Sequence, residues 1–180
     1  YMFTMVFVFV IHQVSQSRQI SVDFLTGINN ANSLLDYLAR LFSKRSDLDS
    51  NLKLIYIMVD NLKQINAAYG RNYGDLSLLE FSKCLKKSVG KKGYYICRYA
   101  GGDFIVVVNE TCGADTEEFL KNLDGAVAGL NAQKKYPFEL SITTGYTAYN
   151  HDLDCVNAFI HASHEVFFEN LEKKGRPAVS

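Results

Sequence analysis

Two residue types in this chain have side chains that commonly bind transition metals, namely histidine and cysteine. His161 and His164 are separated by one helical turn, a spacing that lets two imidazoles share a metal ion. The sequence offers no third ligand at a matching spacing, so we interpret the pair as structural. No CxxC pair occurs, which predicts buried or half-buried thiols in a reducing compartment and neither a zinc site nor a disulfide framework. The cysteines are Cys84, Cys97, Cys112 and Cys155.

A glycine-rich turn is the strongest candidate for an active region. Two β-rich runs, 94–99 and 104–109, flank Ala100-Gly101-Gly102-Asp103, where the two glycines supply the positive φ values that a tight hairpin turn needs. The apolar run 52–59 has the character of a strand buried on both faces, and Asp60 follows it. Because ligands of such sheets collect at strand ends and helix N-termini, we expect the site at the hairpin tip beside the end of this first strand.

The remaining elements follow from hydrophobic periodicity. After a leading helix the order is β-α-α-β-β-α-β-α, which predicts an α/β sandwich with a mixed sheet, a central β-hairpin and helices packed around it. Gly70 is the expected C-cap of the helix that precedes it. The predicted helices are 30–48, 61–69, 75–89, 116–133 and 156–171, and the last strand is 138–149.

Composition narrows the function. The 180 residues are 48% hydrophobic and 21% charged, and Lys plus Arg equals Asp plus Glu at 19 each. A net charge of zero provides no basic surface for a nucleic-acid partner, so nucleic-acid binding is not expected.

The first 20 residues differ from the rest of the chain. Residues 1–11 are apolar except for Thr4, too short a run to cross a bilayer, which takes about 20 residues. Two interpretations stand equally: the cytoplasmic end of a transmembrane helix that begins upstream, or a segment that packs on an upstream domain. Residues 12–19 would be a linker. We therefore expect residues 1–20 to be a membrane-helix end or connector with its linker, and residues 21–180 to form one domain.

Six short motifs follow one another along the chain. They are Asp23-Phe24-Leu25-Thr26-Gly27 with Asn30, the run 60–66 (DNLKQIN), Tyr69-Gly70 with Gly74-Asp75, the run 98–104 (RYAGGDF), the run 141–145 (SITTG) and Gly175-Arg176. In this order they resemble the motifs of the GGDEF (diguanylate cyclase) family. Their order and their span, roughly residues 21–176, make the resemblance specific although each match alone is weak.

This resemblance implies a nucleotidyl-cyclase-like (ferredoxin-like) fold in a bacterial signalling protein. Active members bind GTP, and two domains meet antiparallel to condense two GTP into cyclic di-GMP. The reaction is a phosphoryl transfer in which divalent metal ions, Mg²⁺ among them, neutralise the developing charge.

The resemblance also assigns nucleotide-binding residues. Asn66 and Asp75 match the family's guanine readers, and a carboxylate that accepts from the ring N–H and the exocyclic amine distinguishes guanine from adenine. The alternatives are a helix-surface Asn and an N-cap Asp. Glu172 stands where the family has a phosphate-binding Lys. The candidate phosphate-binding residues are Leu62, Lys63, Lys173 and Arg176.

The metal-binding acids of the family are missing from their expected positions. Met58 stands at the first Asp of the motif "D-x-D", and a thioether is too soft to hold Mg²⁺. In an ungapped alignment of the signature hairpin (Ala100, Gly101, Gly102, Asp103, Phe104), Gly102 occupies the position of the metal-binding acid. Asp60 and Asp103 are weak substitute candidates. The product-inhibition motif "R-x-x-D", expected at residues 91–94, is absent.

Three hypotheses remain. The first is a degenerate GGDEF domain that binds GTP or dimerises and has little or no cyclase activity. The second is an active diguanylate cyclase that uses Asp60 and Asp103 in a rearranged site with Mg²⁺. The third is an interaction domain that binds no nucleotide. In each case we expect a cytoplasmic domain. Such a domain can form a homodimer, and it can belong to an inner-membrane protein.

Overall fold

The computed structural model describes residues 21–44, 48–90, 92–153 and 155–173. Five strands form one mixed sheet, and they are β1 (Asn29–Asn30), β2 (Leu52–Val59), β3 (Tyr94–Ala100), β4 (Asp103–Asn109) and β5 (Ile142–Ala148). Their order in the sheet is β1-β3-β4-β2-β5. β1 runs parallel to β3, whereas β3 with β4, β4 with β2, and β2 with β5 are antiparallel.

The helices cover both faces of this sheet. They are α1 (Ala31–Phe42), α2 (Leu62–Tyr69), α3 (Arg71–Ser88), α4 (Thr116–Ala132) and α5 (Val156–Lys173), with a short 3₁₀ turn at Glu110–Cys112. The core between the sheet and α2, α3 and α4 contains Ile65 and Phe119, whereas the core on the opposite face, beneath α1 and α5, contains Leu34 and Phe159. The predicted mixed-sheet sandwich with a central hairpin is confirmed.

β2 is buried on both faces, as its uninterrupted apolar sequence predicts. Leu54 and Tyr56 face the α1 and α5 side, and Ile55 and Ile57 face the other helices. All four are at most 5% exposed, because β4 and β5 pair along the length of β2 and helices cover both faces. The end of β2 is therefore a rigid position from which to build a site.

Three predicted boundaries are wrong, each for a local reason. The strand predicted from residue 138 begins at 142, because the Asn131 side chain accepts from Leu140 N at 2.8 Å and donates to Leu140 O at 2.9 Å, which takes that backbone out of the ladder. The helix predicted to run to residue 48 ends at Phe42, and Ser43 Oγ donates to the Arg40 carbonyl at 2.8 Å.

The third boundary error concerns α3, which begins at Arg71 and not at residue 75. Gly70, with φ of +87°, ends α2 as predicted and also serves as the N-cap of α3. A positive φ at a glycine lets the chain turn directly from one helix into the next. Asp75 consequently lies inside α3, and the alternative that it is an N-cap residue is wrong.

The cysteines fall into two groups. Cys84 and Cys97 are buried, but Cys112 and Cys155 are exposed, so the prediction of buried or half-buried thiols is wrong for the latter two. All four are free. Among the described residues, the helices are too short or too polar to cross a bilayer. The predicted membrane-helix end and linker, residues 1–20, lie outside the described residues.

Candidate functional site

The hairpin tip lies beside the end of β2, as the sequence predicts. Met58 is paired with Asp103 across the β2–β4 ladder, and one residue further the Val59 N–H donates to the Gly102 carbonyl at 3.0 Å. The tip of β3–β4 therefore extends past the last residues of β2. This arrangement brings the two positions of the family's metal-binding acids, Met58 and Gly102, to one end of the sheet.

The hairpin turn is built by its two glycines. Ala100 pairs with Asp103, so Gly101 and Gly102 form the turn, and Gly101 has φ of +46°. A positive φ was predicted for both glycines and is found at Gly101 alone. The register shifts between Arg98 and Ala100, which leaves Tyr99 as the extra residue of a β-bulge.

Arg98 connects the hairpin to the first motif of the chain. Its Nε donates to the Gly101 carbonyl at 2.9 Å, and its Nη1 lies 3.1 and 3.3 Å from the two carboxylate oxygens of Asp23. Asp23 also accepts from the N–H and hydroxyl of Thr26 at 2.9 and 2.6 Å. Burial raises the pKa of Asp23, but the hydrogen bonds from Thr26 and Arg98 outweigh it, so the pKa is lowered. Arg98 thus connects the hairpin turn to Asp23 of the opening motif.

The hairpin end of β2 presents few donors for a hard cation. Met58 contributes a thioether, and Gly102 contributes no side chain. A Cβ added at Gly102 would lie 3.1 Å from Leu62 Cδ2 and 3.5 Å from the Val59 carbonyl oxygen, so a side chain there would point toward the start of α2. Neither Met58 nor Gly102 therefore supplies a side-chain oxygen to this end of the sheet.

Asp103 carries the one carboxylate of the hairpin turn. It is near the Tyr56 hydroxyl, which comes from the middle of β2, and near His164 of α5. Burial raises the pKa of Asp103, while Tyr56 and His164 offset only part of that rise. Burial also raises the pKa of Tyr56, and the neighbouring Asp103 carboxylate adds to that rise, so the phenol keeps its proton.

Asp60 binds the beginning of β5. Its Oδ2 accepts from the hydroxyls of Ser141 and Thr143 at 3.1 and 3.0 Å, and its backbone N–H donates to the Ser141 carbonyl at 2.8 Å. Asp60 thus connects the end of β2 to the start of β5. Within the described ranges, no three His, Cys, Asp or Glu side chains are grouped closely enough to hold a metal ion.

The start of α2 faces the same end of the sheet. Asn61, its N-cap residue, makes no capping bond with its side chain, which donates to the Glu139 carbonyl at 2.6 Å and accepts from Ser141 N at 3.1 Å. Leu62 is half-buried and Lys63 is exposed in the first turn. Backbone N–H groups at a helix N-terminus suit anions, which is what the predicted phosphate-binding role of these two residues needs.

The predicted guanine readers lie where α2 meets α3. Asn66 lies in the second half of α2, and its side chain lies against Gly74 of α3. A methyl group on Gly74 would lie 2.8 Å from Asn66 Cγ, so glycine at residue 74 lets the Asn66 side chain keep this position between the two helices. Asp75, the next residue, is exposed. The sequence indicated Gly74 as part of a motif but not this packing role.

The other predicted phosphate-binding residues are not brought to the site by the described structure. Lys173 is the last residue of α5, and its side chain is outside the described part of the chain. Arg176 also lies outside the described residues. Their predicted roles stay predictions.

The two histidines of α5 have different surroundings. The His164 ring packs edge-on against Tyr56 at 4.9 Å and Phe168 at 4.4 Å between centroids, whereas His161 is exposed with Nδ1 3.5 Å from Glu165 Oε1. Burial lowers the pKa of His164, and the Asp103 charge offsets part of that change. Sequence reasoning missed the grouping of His164 and Tyr56 with Asp103, because no local pattern links residues of β2, β4 and α5.

A sequence model of the family described as "Diguanylate cyclase, GGDEF domain" matches residues 20–176. The chain belongs to this family. The match covers the opening motif, the β2–α2 segment, the α3 motif, the hairpin and α5, so the predicted family is confirmed.

Two relatives are diguanylate cyclases by name, in agreement with this family. The diguanylate cyclase DgcP of Escherichia coli is 31% identical over 59% of this chain and 31% of its own length. The probable diguanylate cyclase DgcJ of the same organism is 26% identical over 88% of this chain and 31% of its own. The chain thus spans about a third of the length of these relatives.

Solved structures share the fold. A sensory box/GGDEF family protein from Caulobacter crescentus is 26% identical, with a TM-score of 0.68 over 85% of this chain and 99% of that one. The diguanylate cyclase SiaD of Pseudomonas aeruginosa, solved with its activator SiaC, has a TM-score of 0.73 at 18% identity and covers 96% of this chain and 66% of its own. The latter likeness shows the fold alone.

Proposed function

We propose that this GGDEF domain binds GTP or a related guanine nucleotide and acts as a regulatory module of cyclic di-GMP signalling, with little or no cyclase activity. One observation carries the proposal. The junction of α2 and α3 keeps the family's base-reading residues in a packed arrangement, while the hairpin end of β2 has Met58 and Gly102 at the positions of the metal-binding acids.

The donor set at the hairpin end does not fit Mg²⁺. This cation takes oxygen ligands in near-ideal octahedral geometry, and a thioether is a poor substitute. Of the nearby carboxylates, Asp60 accepts from Ser141 and Thr143, and Asp103 is near the Tyr56 hydroxyl and has a pKa raised by burial. Each missing ligand removes several kcal/mol of transition-state stabilisation, and each 1.36 kcal/mol is about tenfold in rate, so losing both acids argues against turnover.

The base-reading groups support nucleotide binding. Asn66 offers an amide and the exposed Asp75 a carboxylate, the two groups that can pair with the edges of guanine. The phosphates would lie toward the first turn of α2, at Leu62 and Lys63. In this proposal Lys173 and Arg176 supply further positive charge for the phosphates.

The wider setting belongs to the same proposal. The family's reaction needs two domains, so a homodimer is the expected assembly if the domain keeps its family's geometry. The named relatives are about three times as long as the match, which favours a domain joined to other segments, with a membrane tether as one form of it. The domain itself would then act on the cytoplasmic side.

A GTP titration by calorimetry, with Mg²⁺ and with EDTA, tests the proposal. We expect equal affinities under the two conditions, because the nucleotide would be held through its base and through helix N–H groups. Asp75→Ala should abolish the heat of binding. In parallel, purified protein incubated with GTP and Mg²⁺ or Mn²⁺ should form no cyclic di-GMP.

Two other outcomes would support the competing functions. Clear turnover that Asp103→Ala abolishes would show an active cyclase with a rearranged site. An absence of GTP binding in the unchanged protein would favour a nucleotide-independent dimerisation or interaction domain. Either result contradicts the proposal as stated.

A further inference from the structure

Arg71 lies one helical turn ahead of the proposed guanine reader Asp75. It is the first residue of α3, and Asp75 follows it by four residues in the same helix. Residues four apart on a helix are neighbours on one face, with about 5–6 Å between their Cβ atoms. Both residues are exposed. A cationic side chain is therefore adjacent to the carboxylate that is proposed to bind the base.

Gly74 fixes the direction of this face relative to α2. A side chain on Gly74 would meet Asn66, so this side of α3 is turned toward the second proposed guanine reader. Successive residues of an α-helix are rotated by about 100°. Arg71 is consequently rotated by about 60° from Gly74, and Asp75 by about 100° in the same sense. Arg71 thus lies between the direction of Asn66 and that of Asp75.

The opposite side of α3 is occupied by an aromatic contact. The ring of Tyr73 lies 5.8 Å from that of Tyr69 and 6.2 Å from that of Phe138 between centroids. The same helical rotation places Tyr73 about 160° from Arg71. Arg71 is therefore on the side of α3 that is turned away from these rings.

The fold itself makes little use of the Arg71 charge. The ion pairs among the described residues join Lys53 to Glu110, Lys83 to Glu80, Arg98 to Asp23 and His161 to Glu165. Arg71 and Asp75 take part in none of these ion pairs, and a basic residue four positions before an acid pairs less well than the reverse order. A positive charge in the first turn of a helix also opposes the helix dipole, so Arg71 does not stabilise α3.

An Arg beside an Asp matches the order of groups along guanine. The base presents two acceptors, N7 and O6, and next to them two donors, the ring N–H and the exocyclic amine. A carboxylate accepts from the two donors, whereas the planar guanidinium donates to N7 and O6 together. Adenine carries an amine in place of O6, and this amine would face the N–H groups of Arg71.

We propose that Arg71 determines base specificity by donating to N7 and O6 of a guanine whose N–H groups bind Asp75. This role rests on the proposed GTP binding and adds to it the residue that rejects adenine. A Lys could not replace Arg71, because an ammonium lacks the planar pair of donors that reaches two acceptors at once.

Calorimetric titration with GTP and with 7-deaza-GTP tests the contact at one atom. In 7-deaza-GTP a C–H group replaces N7, while the triphosphate, the ribose, O6 and both N–H donors are unchanged. We expect the unchanged protein to bind 7-deaza-GTP about fivefold more weakly than GTP, since one of the two hydrogen bonds from Arg71 is lost.

Substitution of Arg71 completes the cycle between side chain and base. Arg71→Met should weaken GTP about tenfold and give the two nucleotides equal affinities, because neither then has a donor opposite N7. Arg40→Met is the matched control, since Arg40 is exposed on α1, a helix that packs on the opposite face of the sheet. This control should keep the fivefold difference. Arg71→Ala provides a second variant should Arg71→Met fail to give the far-ultraviolet circular dichroism of the folded protein.

Three results would overturn the role of Arg71 while leaving the proposed GTP binding intact. They are equal affinities of the unchanged protein for the two nucleotides, a fivefold difference that survives substitution of Arg71 in a folded variant, and an equal loss of affinity for both nucleotides on substitution. The last result would place Arg71 at the triphosphate. An absence of heat with GTP in the unchanged protein would contradict the proposed GTP binding and the role of Arg71 with it.

Discussion

The junction of α2 and α3 and the hairpin end of β2 present opposite chemistry, although both match motifs of the same family. At the junction, Asn66, Gly74 and Asp75 retain their family types, and Gly74 fits closely against Asn66. At the hairpin end, Met58 and Gly102 stand in place of acids. The proposed base recognition thus depends on two packed helices, whereas the family's cation binding depends on strand ends, so one can change without the other.

The fold does not need the missing acids. Met58 packs at the edge of the apolar core beneath α1 and α5, opposite Asp103 on the same sheet face. A carboxylate at residue 58 would lie directly across the ladder from that of Asp103, and like charges placed opposite each other destabilise a sheet. An apolar residue at position 58 avoids this repulsion.

The largest expected effect comes from the junction. Asp75→Asn should weaken GTP about 100-fold, because a charged acceptor facing two N–H donors contributes about 3 kcal/mol, and an amide places an N–H where guanine also has one. The measurement is calorimetric titration with GTP. The control is Asp36→Asn, because Asp36 is exposed on α1, a helix that packs on the opposite face of the sheet. A loss below about threefold would remove Asp75 from the base-reading site.

Gly74→Ala should be the next largest change. The added methyl group overlaps Asn66, so α2 and α3 must separate or the Asn66 side chain must turn away. Overpacking of this kind costs about 1–3 kcal/mol of unfolding free energy, and GTP affinity should fall with it. Urea unfolding and GTP titration measure the two effects.

Gly129→Ala is the matched control for that substitution. Gly129 lies in α4, and no atom lies within 4 Å of the position its Cβ would take. Alanine there should stabilise the protein by up to about 1 kcal/mol, the ordinary gain in helix propensity. Equal effects of the two substitutions would show that the contact between Gly74 and Asn66 is unimportant.

Local patterns predicted most of the elements because their causes are local. The alternation of apolar runs, the Gly70 cap and the two-glycine turn each depend on a few consecutive residues, and the structure contains all three. The β2 strand is predictable for the same reason, since burial on both faces leaves no polar position in its centre.

One boundary error and the surroundings of Asp103 come from contacts between different elements, which no local pattern reports. The start of β5 is set by the Asn131 side chain of α4, and no pattern in residues 138–141 reports it. The fate of Asp103 likewise depends on Tyr56 and His164, which come from other elements. Motif matching identified the positions of the site, but side-chain contacts decide what its carboxylates can bind.

The opposite experiment introduces acids at residues 58 and 102 and asks whether metal dependence returns. Met58→Asp combined with Gly102→Glu should make GTP affinity at least about tenfold stronger with Mg²⁺ than with EDTA, since two added carboxylates give the cation hard ligands. A Glu at residue 102 must displace the Leu62 Cδ2 methyl slightly, which a flexible side chain allows. Met58→Leu combined with Gly102→Ala controls for the loss of sulfur and glycine. Unchanged metal dependence in a folded double variant would show that more than these two positions separates the domain from its active relatives.

The smallest expected effects concern two carboxylates near the hairpin, Asp23 and Asp103, whose pKa values are shifted in opposite directions. Asp23, paired with Arg98 and Thr26, has a lowered pKa, so its contribution to stability is present above its ordinary pKa of 3.8 and is lost as pH falls through the lower folded value. Asp23→Asn should therefore cost about 1 kcal/mol at pH 7 and progressively less below pH ~4.

The pKa of Asp103 is raised by burial, so its ionisation weakens the fold as pH rises, and Asp103→Asn should be neutral or stabilising at pH 7. Urea unfolding of both variants between pH 3 and pH 7 measures the two slopes. Slopes of the same sign would mean that the two carboxylates experience the same electrostatic environment, contrary to the contacts that the structure gives them.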